Sequence, residues 1–187
     1  MTIRRPLPGD AGTVRAIADR LAGQGELLLA LAGTLRGLGD PSTVIWVSPA
    51  GAAFAARSQA TAPLLVSVGR RFSVSAVALR PLAAAISEAQ HDVESAVDEH
   101  ADALPRASEL GNLRVLAQDS ADPAQRATAA DLHRQEVEQL ERVQLAERRH
   151  AAGWARYREA DRRCAAVLHR LVQDGLADSR TYDALTG

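Results

Sequence analysis

Apolar positions recur along this chain at three- and four-residue steps in three long segments, parted by two clusters rich in Pro, Gly, Ser and Asp. That spacing is the period of an amphipathic helix. The first segment follows Pro8-Gly9, with Asp10 as candidate N-cap, and runs to about Leu38. Its apolar residues are Val14, Ile17, Leu21, Leu28, Leu31, Leu35 and Leu38. Gly23, Gly25 and Gly33 either weaken this helix or admit close approach of another. Gly37, Gly39, Asp40 and Pro41 end it.

The second helix is predicted to start at Pro49. The Ser48 hydroxyl can accept a bond from an orphan amide of the first turn, and Pro at the first helical position loses nothing by lacking an N–H. The helix is predicted to reach about Leu104, with a stripe of Phe54, Leu65, Val68, Phe72, Leu79, Leu82, Ile86, Val93, Val97 and Leu104. From Leu65 onward the steps average the 3.5-residue period of a packed helical seam. Pro63 and Pro81 interrupt it at a nominal cost of about 3 kcal/mol each. They lie 18 residues apart on one face, so kinks are expected rather than breaks. Trp46 then sits at the tip of the turn between helices 1 and 2, with Phe54 in the second turn beyond it.

Residues 105–121 read as a connecting segment, with a short helix capped by Ser108 and bearing Leu110, Leu113, Val115 and Leu116. Asp122-Pro123-Ala124-Gln125 supplies a cap, a first-turn Pro and a Gln close to a capping box. Helix-forming residues continue from there to Gly175, a candidate C′ position. Asp178 or Ser179 is expected to cap a last short turn near Tyr182 and Leu185. Some fifty residues of helix span about 75 Å. The expected fold is therefore all-α, an elongated hairpin or bundle of three long helices. Residues 1–104 form the hairpin, 105–121 the connector and 122–187 the third helix with its coda, together one structural unit.

Composition narrows the function classes. Aromatic content is only 3%, and the 38 alanines and 22 arginines favour helix. The net charge of −1 gives no overall bias toward nucleic acid. Its distribution is uneven: residues 1–84 hold nine Arg and four acids, whereas 85–110 hold seven acids and one Arg. The acidic run reads as a solvated face, as steering for a partner, or as a match for the Arg-rich third helix. No apolar core follows Met1–Pro6 as in a cleaved leader, and no uncharged stretch reads as a membrane span. The lone Cys164 excludes an internal disulfide.

Candidate chemistry is sparse. His91 and His100 are nine residues apart, on opposite sides of one helix, and His133 with Glu136 offers only two ligands. All five histidines, His150 and His169 included, read as surface histidines on charged helices. No phosphate loop or nucleophile elbow is present, so no catalytic residue, metal or cofactor is expected. Cys164 falls on a third-helix seam with Leu140, Val143, His150, Trp154, Tyr157, Leu168 and Leu171, where a buried structural thiol is expected. Tyr157 and Asp161, in Tyr-Arg-Glu-Ala-Asp, share a helical face.

The stretch Trp46-Val47-Ser48-Pro49-Ala50-Gly51-Ala52-Ala53-Phe54 resembles the corner of WXG/LXG-like helical modules of type VII secretion substrates, with Ser48 in place of the usual Gly. The order Leu7-Pro8-Gly9-Asp10, helix, Trp corner, Pro-interrupted helix with Phe72, and Ala89-Gln90 is similar to those modules over residues 7–104. Tyr157 and Asp161 match the family's Tyr-x-x-x-Asp/Glu export motif, here more than a hundred residues beyond Trp46.

The resemblance implies a non-enzymatic targeting or carrier module that is exported, or assists export, without a cleaved leader. Trp46, Ser48, Tyr157 and Asp161 would form the secretion motif. Phe54, Phe72, Leu79, Ile86, Trp154 and Leu168 would pack a helical partner in a homo- or heterodimer that meets the secretion machinery. In toxin-delivery relatives a toxin domain follows, whereas this sequence stops at Gly187. The alternative is a cytosolic helical scaffold or chaperone-like adaptor, and a third reading is a toxin without its effector domain.

Overall fold

A computed structural model describes residues 7–40 and 48–186, with side chains through Leu176. Among the described residues the protein is all-α, with three helices and no strand: α1 (Ala11–Leu38), α2 (Pro49–Gln118) and α3 (Pro123–Thr186). Asp10 caps α1, its carboxylate accepting from the Gly12 amide at 2.9 Å and the Thr13 amide at 3.1 Å. Ser48 caps α2, its Oγ accepting from the Gly51 amide at 3.1 Å. Asp122 caps α3 through the Ala124 amide at 2.9 Å. Trp46 and the rest of 41–47 lie outside the described residues.

Two boundaries differ from the sequence expectation. α2 does not stop near Leu104 but continues through Pro105 to Gln118, so 105–118 belongs to the helix and the turn is confined to 119–122. Ser108 is no cap: its hydroxyl donates to the Leu104 carbonyl at 3.1 Å, a bond made inside a continuous helix. α3 likewise runs through Gly175 to Thr186, without a separate coda. Pro63, Pro81 and Pro105 are all exposed. Each ring therefore faces outward, where water can reach a carbonyl deprived of its helical donor.

The chain divides into two compact units. One comprises Met1–Gly9 with Ala85–Glu159, the other Asp10–Ala84 with Ala160–Gly187. In the second unit the seam is built from the smallest residues available. Along α1 the buried positions are Ala18, Gly25 and Ala32, continued one heptad on by Gly39. Along α2 they include Ala62, Gly69, Ala76 and Ala83, again seven apart.

Backbones meet there. A Cβ on Gly25 would lie 2.9 Å from the Gly69 carbonyl oxygen and 2.7 Å from Ser73 Oγ. A Cβ on Gly39 would lie 3.0 Å from the Ala55 carbonyl oxygen. Two heptads forward in α1 thus correspond to two heptads back in α2, which makes the pair antiparallel. The same register sets Ala32 opposite Ala62 and Ala18 opposite Ala76. The larger residues expected to form the seam, Leu65, Val68, Phe72, Leu79 and Leu82, are half-buried along its flanks, and Phe54 is 49% exposed.

The other unit repeats the scheme. Ala89, Ala96 and Ala103 line α2, and Ala146 and Gly153 line α3. A Cβ on Gly153 would come within 3.0 Å of Val93 Cγ2 and 3.3 Å of the Ala89 carbonyl oxygen. Val143 is buried as expected, but Leu140 and Leu104 are exposed. Two seven-residue ladders on α3, 129–171 and 132–167, are buried or half-buried at every rung. A strict seven-residue repeat is the period of a left-handed supercoil.

Gly23 differs from Gly25 in one respect that matters: among the described residues no atom lies within 4 Å of a Cβ built on it. Gly25→Ala should lower stability by about 1–3 kcal/mol through overpacking against backbone. Gly23→Ala should raise it by up to about 1 kcal/mol through helix propensity. Thermal melts followed by circular dichroism check both; equal effects would remove the close-contact account of the seam.

Candidate functional site

The described part of the Trp corner is its helix start. Ser48 Oγ holds the Gly51 amide, the Ser48 carbonyl accepts from Ala52 at 3.0 Å, and Gly51 is buried. Ser48 therefore does at this position what a capping residue must do, and Phe54 stands exposed one turn beyond. Of the other residues expected to pack a partner, Phe72, Leu79, Trp154 and Leu168 are half-buried. Ile86 is 3% exposed, so it packs inside the protein and presents nothing outward.

Tyr157 belongs to a small core in the first unit. Leu7, Ala89 and Val93 are its buried members, with Val97, Trp154 and Tyr157 packed against them. The Trp154 and Tyr157 rings meet edge to face, centroids 6.2 Å apart at 87°. That geometry sets the positive edge of one ring against the negative face of the other. The Arg158 guanidinium lies 5.5 Å from the Trp154 centroid, a cation–π distance. Asp161 is exposed one turn along α3.

The third side of this core is not helical. Leu7, 3% exposed, precedes α1 and reaches Ala89 and Val93 of α2. Gln90 Nε2 donates to the Gly9 carbonyl at 2.8 Å and to the Leu7 carbonyl at 3.4 Å. Gly9 has φ of +104°, a conformation L side chains rarely adopt. The sequence pattern did not single out this arm as a packing element. Its signal is a lone aliphatic residue between two prolines ahead of a capped helix.

The acidic run on α2 is matched in part by the arginines of α3. Arg142 binds Glu99 at 2.8 Å and approaches Asp102 at 3.8 Å. Arg156 binds Asp92 at 2.8 Å and approaches Glu88 at 3.8 Å. Arg114, on α2 itself, reaches Glu136 of α3 at 2.7 Å. Half-exposed pairs of this kind each contribute about 0–1 kcal/mol, so they set register more than stability. Their neighbours His91, Glu94, Ser95 and Asp98 line an open, acidic depression beside Arg142.

In the second unit, Arg36, Arg70 and Arg71 border a shallow cleft with Pro63, Val66, Leu171 and Asp174. Cys164 is 4% exposed, as the seam position required. Burial first, and then the charge of Asp161, push its thiol above the ordinary range, which suits a structural rather than a reactive role. His100 is more enclosed than a surface histidine, with Nε2 3.8 Å from Glu147. Among the described residues no group of three His, Cys, Asp or Glu side chains is placed to hold a metal ion. α2 is the one described helix long and apolar enough to cross a membrane by length and composition, with a window of mean hydropathy 1.3, a test that packed core helices also pass.

Glu136 supplies a pH prediction. The Arg114 hydrogen bond holds its carboxyl below the usual range against an opposing effect of burial, with the Arg114 charge and His133 adding to the depression. A depressed folded-state pKa contributes stability that is complete above the ordinary carboxylate range and is lost as pH falls through the lowered value. Glu136→Gln should therefore melt lower than wild type at neutral pH, and the gap should close on acidification. A gap independent of pH between neutrality and strong acid would show that the pair does not act through this charge.

No family model matches the chain, and neither the search of curated proteins nor that of solved structures gives a match.

Proposed function

We propose that the protein is a non-enzymatic targeting or carrier module that acts by binding a helical partner, and that it is exported, or assists export, through a type VII secretion system. The observation that carries the partner-binding part is a second ladder on α1. Ala16, Gly23, Ala30 and Gly37 repeat, two residues earlier, the Ala-Gly-Ala-Gly order of the covered ladder Ala18, Gly25, Ala32 and Gly39. Among the described residues no atom lies within 4 Å of a Cβ on Gly23. Beside this ladder stand Leu27 (66% exposed), Leu31 (48%) and Leu38 (50%).

A smooth groove edged by exposed leucines is the surface that a closely packed helix covers, and recognition there needs no catalytic group. Phe54, exposed just past the Ser48 cap, extends the apolar surface available on the same unit. The export part rests on the resemblance of the Trp46–Phe54 stretch and of Tyr157/Asp161 to family motifs. Localisation follows the same reading: secreted, with cytoplasmic as the alternative.

One observation favours the alternative of a cytosolic scaffold or adaptor. Tyr157 packs on Trp154 and the Leu7 core, so its ring is not freely presented to a transport machine.

Two experiments separate the readings. Expression of Trp46→Ala and Tyr157→Ala variants, assayed in culture supernatant, should show reduced release of each; unchanged release of both would remove the export motif. Wild-type protein found solely inside the cell would favour the scaffold. Independently, Leu27→Asp with Leu31→Asp should abolish co-purification of a helical partner while leaving the melting temperature close to wild type. Retained co-purification would move the binding face elsewhere.

A further inference from the structure

Residues 49–84 of α2 contain four arginines and no Asp or Glu. The helix carries an 18-residue window of mean hydropathy 1.3, of which 17% is buried. Residues 62–79 have that character. Their two charges are Arg70 and Arg71, and of their number only Ala62, Gly69 and Ala76 are buried, as rungs of the seam. Beside the seam runs an outward stripe, Pro63, Arg70, Val74, Val77 and Pro81, spaced at helical steps and exposed throughout, Val77 at 64%. Arg36 of α1 joins Arg70 and Arg71 around an open cleft lined also by Val66, Val74 and a single acid, Asp174 of α3. Among the described residues no ion pair or hydrogen bond engages the side chain of Arg36 or Arg70.

We propose that this face of α2 docks on the headgroup layer of an anionic lipid bilayer, with Arg36 and Arg70 at the phosphates and Val74 and Val77 among the upper acyl carbons. Guanidinium groups pair with phosphate oxygens in a bidentate fork, and their stems lie along apolar surface while the heads stay wet. Two features favour lipid over a packed protein helix. Pro63 and Pro81 each leave the carbonyl four residues earlier without its helical donor, a defect that headgroup water repairs and a dry interface does not. The stripe also mixes aliphatic and cationic side chains with no carboxylate among them, the composition of an interfacial helix. Arg70 and Arg71 fall at the middle of 62–79, where a hydrocarbon core disfavours charge, so the helix lies along the surface and does not cross. The inference concerns α2 and is independent of the helical-partner reading, which rests on the outer face of α1.

The test is co-sedimentation of the full chain with vesicles of phosphatidylcholine alone and of phosphatidylcholine mixed with phosphatidylglycerol. Binding should require the anionic lipid and weaken with added salt. An arginine near such a surface is worth about fivefold in partitioning, so Arg36→Gln with Arg70→Gln should lower it by about thirtyfold. Val74→Ser with Val77→Ser keeps every charge and should lower partitioning by about tenfold through lost apolar burial. All four side chains are exposed, so both double variants should keep the helical circular dichroism and melting temperature of wild type. Leu27→Asp with Leu31→Asp, on the outer face of α1, should leave partitioning unchanged.

The proposal is overturned by binding to neither kind of vesicle, by equal binding to both, or by unchanged partitioning in either double variant of this face. Loss of binding in Leu27→Asp with Leu31→Asp would move the lipid contact to α1. Soluble polyglutamate that displaced the protein as effectively, charge for charge, as further anionic vesicles would assign the arginines to an acidic protein segment instead.

Discussion

Close approach of helix backbones along ladders of Ala and Gly is the constraint on which the rest of this protein depends. At Gly25 and Gly69 the two backbones are near enough that a single methyl group on either would touch the other's carbonyl oxygen. Such contacts gain dispersion energy between main chains rather than burial of large side chains. An alanine removes little apolar area from water, on the scale of about 0.8 kcal/mol per buried carbon group. Many rungs are therefore needed, and the helices are correspondingly long. Any rung enlarged to Leu would force the pair apart.

The same constraint sets where the large apolar residues go. Excluded from the ladder, they stand on its flanks, half-buried as at Leu65, Phe72 and Leu79 or exposed as at Phe54, Leu27 and Leu31. A helix seamed by small residues thus retains a broad apolar surface, the feature on which the proposed partner binding rests. The seven-residue repeat also fixes which face is outward, and Pro63, Pro81 and Pro105 all fall there. Each removes a hydrogen bond at a point where water can substitute, so α2 passes through all three without ending.

Charge adds register to this packing. Arg142, Arg156 and Arg114 tie particular carboxylates across α2 and α3, and a slip of one residue along the ladder would separate them. Among the described residues the Leu7 arm is held differently, through the buried Leu7 side chain and the Gln90 amide rather than through helical hydrogen bonds.

What the sequence determined by itself was local. The caps at Asp10, Ser48 and Asp122 are stated by residues whose side chains bond amides two or three positions on, and α1 was legible from end to end. Burial of Cys164 and Val143 followed from periodicity alone. Only tertiary structure decided the rest. A proline at 105 and a glycine at 175 are stop signals in an isolated helix, yet packing against a neighbouring helix carries α2 and α3 through both. The true seam was visible as a seven-residue Ala/Gly repeat. Large apolar residues mask it in a hydrophobic pattern, whereas backbone proximity rewards the absence of a side chain. Leu7 found its pocket through residues more than eighty positions away, and no local rule reaches that far.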